Sequence, residues 1–549
     1  MSLLLDSPHS ASVTTPEDTA DAASSSRLPK WLCWTAATPL VLATVGLIFL
    51  SLTRVPLWHS DVWDHLNYGR QMLQTGRIAR SEPLLTLGEG VRMVNLPWLA
   101  QLILTLVEQK SGIIGLQFLS ALLGAASLLL ISLQATRCSR SWLAGVFAAV
   151  SCWFVNRHEL GVLRPQLFGL LFACGLLAWI LARPHRFRLA WVGVPLLFTL
   201  WANLHGSFIV GLMLLSLAVL GRAGDLLRAS RSPRLVFADP TLHRLLLLLQ
   251  LSAAAVLINP FGMAAYAEVF SVAGHPNMSS MLEWNPLTLR MPAGQRFAAL
   301  ALGTTLLLGL TPRRVRTTEL LILTVTALLT AWSARMLNWF TPAAALIAGV
   351  HLAAVVRRFL NRRHTRRISD TAVSAADPET ESADTAEATK LPAWIWTVAS
   401  LGIIWLCLIL NPFSRWLLRG TLPPEAQLVS AETPVAAVEW LKTRTSHPRG
   451  LAFVPAEWSG YLMHRGPAPL KPLVNIHAHL IPEEVWNDYM RLTHGPADWN
   501  GLFDEYGVNL AVISRRGQPA LIRRIRDSAD WQAAYEDRQT IIFVRRQPV

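Results

Sequence analysis

Apolar runs of about twenty residues recur along this chain between residues 31 and 411. A run of this length crosses the hydrocarbon core of a bilayer as one α-helix, and many of the runs are bounded by Arg or Pro. Of the 549 residues, 52% are hydrophobic and 15% are charged, a composition that does not suit a soluble protein. The sequence therefore predicts a polytopic α-helical membrane protein.

We place about eleven spans by their length and hydrophobicity. A shorter apolar run at residues 96–107 is either a re-entrant helix or an interfacial helix. The predicted spans are residues 31–52, 112–134, 141–155, 164–182, 189–203, 205–221, 243–259, 297–311, 318–334, 338–356 and 393–411.

Arginine clusters occur in every second loop between these spans. They lie at residues 137–140, 183–188, 222–234, 313–316 and 357–367. Because Arg and Lys accumulate in inner loops, this alternation predicts an inside N-terminus and an outside C-terminus. The net charge is +14, and these clusters contribute much of the positive charge. Because membrane topology accounts for their positions, we expect no nucleic-acid partner.

Composition divides the chain into five predicted parts. Residues 1–30 are a disordered cytoplasmic tail, and residues 31–358 are a multi-span membrane domain with an outer loop at 53–111. Residues 359–390 are a disordered cytoplasmic linker, and residues 391–411 are the last span. Residues 412–549 form a small outer α/β domain, with strands at 451–455, 472–476, 508–514 and 540–545 and helices at 434–444, 483–492 and 519–527.

The first outer loop packs two acids and two histidines into residues 59–65. If this segment is helical, Asp61, Asp64 and His65 share one face with Tyr68. A carboxylate on that face can accept a proton from a hydroxyl nucleophile or hold a divalent cation. The alternative is an interfacial helix anchored by its tryptophans.

The second outer loop, at residues 156–166, contains Arg157, Glu159 and Arg164. The two arginines can hold a phosphate by bidentate contacts, with Glu159 as a further acid. Arginines that snorkel from the ends of spans are the alternative. Arginine in an outer loop nevertheless runs against the topology bias, which favours a function.

Three further outer segments carry candidate polar groups, and the first of them lies at membrane depth. His205 lies in a tight turn between two apolar runs, where polar groups must be satisfied by protein or line a wet cavity. Glu283 beside Trp284 suits a sugar, because a carboxylate binds hydroxyls and an indole covers the apolar sugar face. Arg335 and Asn338 separate two spans, and Arg335 is another candidate phosphate contact.

His477 and His479 follow a predicted strand in the C-terminal domain. Their spacing can chelate a metal, but no nearby Cys or carboxylate completes such a site, so we predict no metal ligands there. We expect instead a strand end that faces a cleft.

Several segments together resemble the GT-C superfamily of membrane glycosyltransferases, which includes the protein O-mannosyltransferases and aminoarabinose transferases. The architecture is similar over nearly the whole chain: an acidic first outer loop, many spans and an outer C-terminal domain. Uncharacterised bacterial members have similar sequences at residues 61–66, 201–206, 259–262, 283–284, 334–338, 434–440 and 455–461. In these members an Asp-containing motif often follows the second strand of the outer domain, where this chain has residues 475–479.

The resemblance implies transfer of a sugar from a polyprenyl-phosphate donor to a glycan, lipid or protein acceptor at the outer face of the cytoplasmic (inner) membrane. In that reaction Asp61 is the general base or an orienting carboxylate, with Asp64 as the second candidate. Phosphate binding falls to three arginines, and sugar or acceptor binding to six other residues. The arginines are Arg157, Arg164 and Arg335, and the other residues are His65, Glu159, His205, Glu283, Trp284 and Asn338.

A single displacement would invert the anomeric carbon, and dependence on Mg²⁺ or Mn²⁺ stays open. Two alternatives belong to other classes of protein. A lipid transporter or flippase would also place polar groups among spans, and a non-catalytic member of the same fold would act in assembly or sensing.

Overall fold

The computed structural model describes residues 34–58, 61–182, 185, 187–374, 392–445, 448–468 and 470–547. The tail predicted at residues 1–30 and residues 375–390 of the predicted linker lie outside the described residues. So do His59, Ser60, Arg183 and Arg186.

The first part of the chain is a bundle of apolar helices. Its buried core consists mainly of Leu, Ala, Ile, Val and Phe side chains from many of these helices. The helices are α1 (Ala37–Leu52), α2 (Val62–Thr75), α3 (Trp98–Ser139), α4 (Trp142–Gly161), α5 (Gln166–Leu181), α6 (Phe187–Leu204), α7 (Phe208–Ser230), α8 (Pro233–Phe237), α9 (Pro240–Val256), α10 (Ala264–Ala273), α11 (Pro292–Leu310), α12 (Thr317–Trp332) and α13 (Leu337–Ser374).

Each predicted span overlaps one apolar helix of the structure, the last being α14 (Ala393–Leu410). Within the described residues, five helices are long and apolar enough to cross a membrane, and α14 with the bent α15 (Pro412–Arg419) makes a sixth. Others, such as α1 and α5, are apolar but shorter. The protein is a multi-pass helical membrane protein, as predicted, whereas the number of eleven spans stays a prediction.

Helix α3 is bent at Gly112, which has a φ of 61° and a ψ of −160°. Glycine tolerates this backbone conformation because it has no Cβ. The bend separates a helical arm at residues 98–111 from the longer half of α3. The apolar run at 96–107, left open by the sequence, therefore belongs to the first half of a broken helix.

Two predicted boundaries are wrong. Helix α13 continues to Ser374, so the linker predicted to be disordered from residue 359 begins as helix. The prediction ended this helix too early because it relied on hydrophobicity, and residues 359–374 are mostly polar and rich in Arg. Helix α4 likewise continues through a local irregularity at Asn156 to Gly161, so the predicted second loop starts as helix.

The C-terminal part is a small domain around a five-stranded mixed sheet in the order β2-β1-β3-β5-β4. Strand β1 runs parallel to β2 and β3, and β5 runs antiparallel to β3 and β4. The strands are β1 (Leu451–Phe453), β2 (Lys471–Pro472), β3 (Val508–Ser514), β4 (Trp531–Glu536) and β5 (Thr540–Arg545); the helices are α16 (Glu425–Leu428), α17 (Val435–Lys442), α18 (Ala456–Arg465), α19 (Glu483–Thr493), α20 (Trp499–Glu505) and α21 (Pro519–Arg526).

The sequence missed strand β4 and helices α16, α18 and α20. Strand β4 lies at the edge of the sheet, has a register shift and is largely solvent-exposed. Because its sequence contains no β-branched residue and has no clear alternation of apolar residues, it gives a weak strand signal.

The sheet domain docks on one end of the helical bundle, which we call the domain face. The amide N–H of Leu57 donates to Leu428 O at 2.8 Å, and Asn67 Nδ2 donates to Gly460 O at 3.0 Å. A Cβ at Gly460 would lie 2.8 Å from Asp64 Oδ1, so α18 can approach α2 this closely only with glycine there. These contacts fix the sheet domain over α2.

The opposite end of the bundle, which we call the arginine face, is held by arginines that bind helix ends. Arg357 Nη2 donates to Ser139 O at 2.6 Å, and Arg313 Nη1 donates to Cys138 O at 3.3 Å. Carbonyl groups in the last turn of a helix lack partners within the helix, so the guanidinium groups satisfy them. Long helices such as α3 and α13 thus connect the two faces.

Candidate active site

Helix α2 positions the acidic motif of the first loop. Asp61 is the residue before the helix, but its side chain does not cap it, and its carbonyl accepts the amide of His65 at 2.9 Å. Asp61 and His65 therefore lie one turn apart on one face, with His65 Nε2 at 3.8 Å from Asp61 Oδ2. The predicted helical spacing is present at this pair.

A cavity of about 490 Å³ opens beside this face of α2, between the bundle and the sheet domain. Its walls combine charged groups with apolar side chains, and seven of the eleven predicted site residues line it. These seven are Asp61, His65, Arg164, His205, Glu283, Trp284 and Arg335.

The charged groups form a chain across the cavity. Arg164 Nε donates to Asp61 Oδ1 at 3.0 Å, and its Nη1 donates to Glu283 Oε2 at 2.7 Å. Arg335 pairs with the other oxygen of Glu283 and lies over the ring of Trp284, at 5.0 Å from the ring centroid. Residues far apart in sequence thus join two carboxylates and two guanidinium groups in one network.

This network sets the charge state of the acids. Burial by itself would raise the pKa of Asp61, but the positive charge of Arg164 and a smaller effect of His65 hold that pKa below its usual range. Burial also opposes ionisation of Glu283, yet Arg335 and Arg164 lower its pKa. Both acids are therefore carboxylates at neutral pH, and the guanidinium groups balance their charge.

Four histidines around the cavity are neutral at neutral pH. Burial lowers the pKa of His65 to about 4 and the pKa values of His205, His477 and His479 to about 3. A neutral imidazole both donates and accepts a hydrogen bond. Its ring suits hydroxyl groups better than phosphate, so these histidines complement the arginines chemically.

Asp64 does not line the cavity. It is buried against α18, and its Oδ2 lies 3.9 Å from Nδ1 of His477. Burial, followed by the negative charges of Asp61 and Glu82, raises the pKa of Asp64 well above its usual range. Asp64 is therefore placed behind the site, where it contacts the sheet domain.

The other three predicted site residues also lie away from the cavity lining. Arg157 is exposed, with its guanidinium 5.9 Å from the ring centroid of Phe154. Asn338 Nδ2 donates to Glu159 Oε2 at 3.3 Å, so these two residues bind each other. The ends of α4 and α13 carry these residues, and their side chains are not brought to the lining.

The sequence missed several polar residues that line the cavity. Gln101 Nε2 lies 3.3 Å from His65 Nδ1, and its Oε1 accepts from Asn95 Nδ2 at 2.7 Å. Gln166 and Glu268 also line the cavity. A signal existed for Gln101 and Gln166, because each is a polar residue near the start of an apolar run.

The sheet domain contributes to the same cavity through Ile476, His477 and His479. The ring centroids of His477 and His65 are 5.1 Å apart, so the two parts of the chain meet at this point. This segment faces the cleft as expected, but the strand predicted at residues 472–476 is wrong, because β2 ends at Pro472. Sequence spacing alone did not link it to Asp61, which lies more than four hundred positions earlier.

Some polar atoms at the cavity are buried and lack a hydrogen-bond partner within the described part of the chain. They belong to Asn95, Gln166, Trp284 and His477. Buried polar groups usually find partners, and those without one often mark a place where a ligand or water binds. The cavity therefore has spare hydrogen-bonding capacity for a polar ligand.

A divalent cation fits this cavity poorly. Arg164 lies between Asp61 and Glu283, so the carboxylates that would surround Mg²⁺ or Mn²⁺ already bind a guanidinium group. Among the described residues, no three His, Cys, Asp or Glu side chains come together at metal-binding distance. The positive charge in the cavity is supplied by its arginines.

No protein-family model and no curated protein matches this sequence. Solved structures do match its fold. The Archaeoglobus fulgidus oligosaccharyltransferase tethered with an acceptor peptide superposes with a TM-score of 0.53 at 13% identity, covering 92% of this chain and 74% of that one. Its complex with an inhibitory peptide and a dolichol-phosphate gives 0.52 at 12% identity, covering 88% and 69%. ArnT from Cupriavidus metallidurans, bound to undecaprenyl phosphate, gives 0.47 at 14% identity, covering 92% and 97%.

The chain therefore has the fold of the GT-C membrane glycosyltransferases, as its sequence motifs predicted. Within that class, its fold is similar to that of the archaeal oligosaccharyltransferase.

Proposed function

We propose that this protein transfers a sugar from a polyprenyl-phosphate donor to an acceptor hydroxyl at the domain face. One observation carries the proposal: Arg164 joins Asp61 and Glu283 inside a cavity that also has an apolar side. The cavity thus offers a polar end for a phosphosugar and an apolar side for the first units of a lipid tail.

The apolar side of the cavity suits a lipid-linked donor. Val94, Val269, Val272 and Met336 line it without any charged group of their own. The archaeal oligosaccharyltransferase, whose fold is similar, is solved in complex with a dolichol-phosphate, which supports a donor of this kind. A water-soluble nucleotide sugar has no prenyl tail to place against such a wall.

The paired arginines are the proposed phosphate site. A donor phosphate near Arg164 and Arg335 would share their charge with the two carboxylates, and charge-assisted bidentate hydrogen bonds would hold it. When the bond between the anomeric carbon and the phosphate oxygen breaks, negative charge grows on the phosphate. Guanidinium groups that bind the phosphate stabilise that charge in the transition state.

Asp61 is the proposed base, and its basicity depends on the donor. While Arg164 binds it, the low pKa of Asp61 makes it a poor proton acceptor. A donor phosphate that draws Arg164 away raises that pKa, so Asp61 becomes a base when the donor is bound. The acceptor oxygen then bonds to the anomeric carbon, its proton moves to Asp61, and polyprenyl phosphate leaves.

The acceptor is proposed to enter beside the sheet domain. His65, His205 and His477 are neutral and can bind sugar or acceptor hydroxyls, with Glu283 and Trp284 on the donor side. A glycan, a lipid or a protein can supply such a hydroxyl. From the distribution of arginines we further propose that the domain face lies outside the cytoplasmic membrane and the N-terminus inside.

A direct test uses the purified full-length protein and a panel of labelled polyprenyl-phosphate sugars with extracted envelope glycans, lipids and proteins. We expect transfer by the wild type and a fall in turnover of about a thousandfold in Asp61→Asn, with donor binding retained. Unchanged transfer in Asp61→Asn would contradict a role for Asp61. Movement of intact donor across vesicles by both proteins, without transfer, would instead identify a flippase.

A further inference from the structure

A second cavity, of about 790 Å³, lies on the arginine face. One wall is a stripe of α13 in which residues recur at spacings of three and four, so that they share one side of the helix. The other wall is the loop between α11 and α12. The lining residues are Pro312, Arg313, Ala354, Arg357, Arg358, Asn361, Arg362 and Thr365.

The arginines of this cavity differ in what they bind. Arg357 and Arg313 donate to carbonyl groups at the end of α3, which fixes them in place. Arg358 and Arg362 are exposed and lie one helical turn apart. Of the described residues that line this cavity, none carries a negative charge. The positive charge is therefore concentrated and not balanced locally.

The position of the cavity places it at a bilayer surface. Trp339 near the start of α13 lines the cavity of the domain face, and Arg357 lies 18 residues later on the same helix. At a rise of 1.5 Å per residue this separation is about 27 Å, close to the thickness of the hydrocarbon core. The arginine cavity thus lies at the opposite membrane surface from Asp61.

We propose that this cavity is a binding site for a phosphate-bearing ligand, with the phosphate between Arg358 and Arg362. Guanidinium groups match phosphate oxygens bidentately, and Asn361 and Thr365 add hydrogen-bond donors on the same stripe. Basic pockets between membrane helices bind the headgroups of anionic lipids, and a soluble phosphate offers the same chemistry. The site is independent of the sugar transfer proposed above.

Simple topology predicts arginines on this face without a binding site, so the test needs a matched control. Arg358→Ala with Arg362→Ala removes two charges from the cavity. Arg188→Ala with Arg234→Ala removes two charges from other exposed positions on the same face. Both double variants leave the carbonyl-binding Arg313 and Arg357 intact, and thermal unfolding in detergent checks that each protein folds.

Binding of cardiolipin to the full-length protein is measured by native mass spectrometry, with phosphatidylcholine as the neutral reference and inorganic pyrophosphate as a competitor. We expect the cavity variant to lose about tenfold or more in affinity for cardiolipin, and the control to stay close to the wild type. If pyrophosphate competes with cardiolipin, the ligand is a soluble phosphate. If pyrophosphate does not compete, the ligand is a lipid headgroup.

Two results would overturn the proposal. Equal losses in both double variants would show that cardiolipin responds to the general charge of this face. Cardiolipin and pyrophosphate binding that is the same in the cavity variant and the wild type would show that the cavity holds no phosphate. Arg358→Lys with Arg362→Lys adds a check on geometry, because lysine keeps the charge but loses the planar fork.

Discussion

The two ends of the bundle both present arginines to a cavity, but they surround them differently. At the domain face, Arg164 and Arg335 are paired with Asp61 and Glu283. At the arginine face, Arg358 and Arg362 line a cavity whose described lining residues include no acid. The neighbours of an arginine therefore decide how its charge is used. Where acids pair with the arginine, a ligand must compete for the charge, and where no acid is present, the charge is always available.

This difference has a consequence for binding. A phosphate that enters the domain-face cavity must compete with carboxylates, so its affinity is moderated while the freed Asp61 gains basicity. A phosphate at the arginine face meets unbalanced charge near solvent, where added salt weakens attraction strongly. The first arrangement suits a reaction that must release its product, and the second suits steady binding.

The sharpest way to break the comparison is to remove the paired arginine. We expect Arg164→Lys to lower kcat/KM for sugar transfer about a hundredfold, because lysine cannot bridge Asp61 and Glu283 and stabilise a leaving phosphate together. Arg157→Lys changes an arginine of the same predicted loop, which lies on the last turns of α4 and outside the cavity, and we expect it to retain activity. Steady-state kinetics with the same donor compares the two. Equal losses would show that the loop, and not the pairing, matters.

A smaller effect is expected when the neutral histidine of the sheet domain is replaced. The pKa of His477 falls to about 3 in the folded protein from an ordinary value of 6.5. The unfolded state therefore binds more protons between these values, so stability is full above pH 6.5 and declines as pH falls toward 3. We expect His477→Gln to flatten the decline of the melting temperature across this range.

The control for this prediction is His494→Gln, which changes an exposed histidine of the same domain. Its melting temperature should follow the wild-type pH dependence. If His477→Gln and the wild type decline in parallel, burial of His477 does not shift its protonation in the folded protein.

Much of the fold was predictable because its signal is local. Apolar length located a helix at every predicted span, and the acidic turn before α2 gave Asp61 and His65 their shared face. The polar C-terminal end of helix α13 was not predicted. Hydrophobicity indicates which residues lie in the membrane, and it does not indicate where a helix ends.

The site was predictable only up to the choice of loops. Sequence placed Arg157 and Arg164 together in one loop, yet only Arg164 reaches the cavity, since helix α4 continues to Gly161 and Arg157 is exposed on it. The pairing of Arg164 with two acids joins residues 103 and 119 positions away. No local pattern encodes such contacts, because tertiary packing creates them.

The smallest expected effect concerns metal removal, and it tests the role given to the paired arginines. Arg164 occupies the space between Asp61 and Glu283 that a divalent cation would need. We therefore expect sugar transfer to continue unchanged after treatment with EDTA and to gain nothing from added Mg²⁺ or Mn²⁺. The same assay on Arg164→Ala is informative, because that variant leaves Asp61 without its guanidinium partner and Glu283 with Arg335 alone, so that a cation can approach. Loss of wild-type activity in EDTA, restored by Mn²⁺, would mean that the donor displaces Arg164 and that a cation takes its place during the reaction.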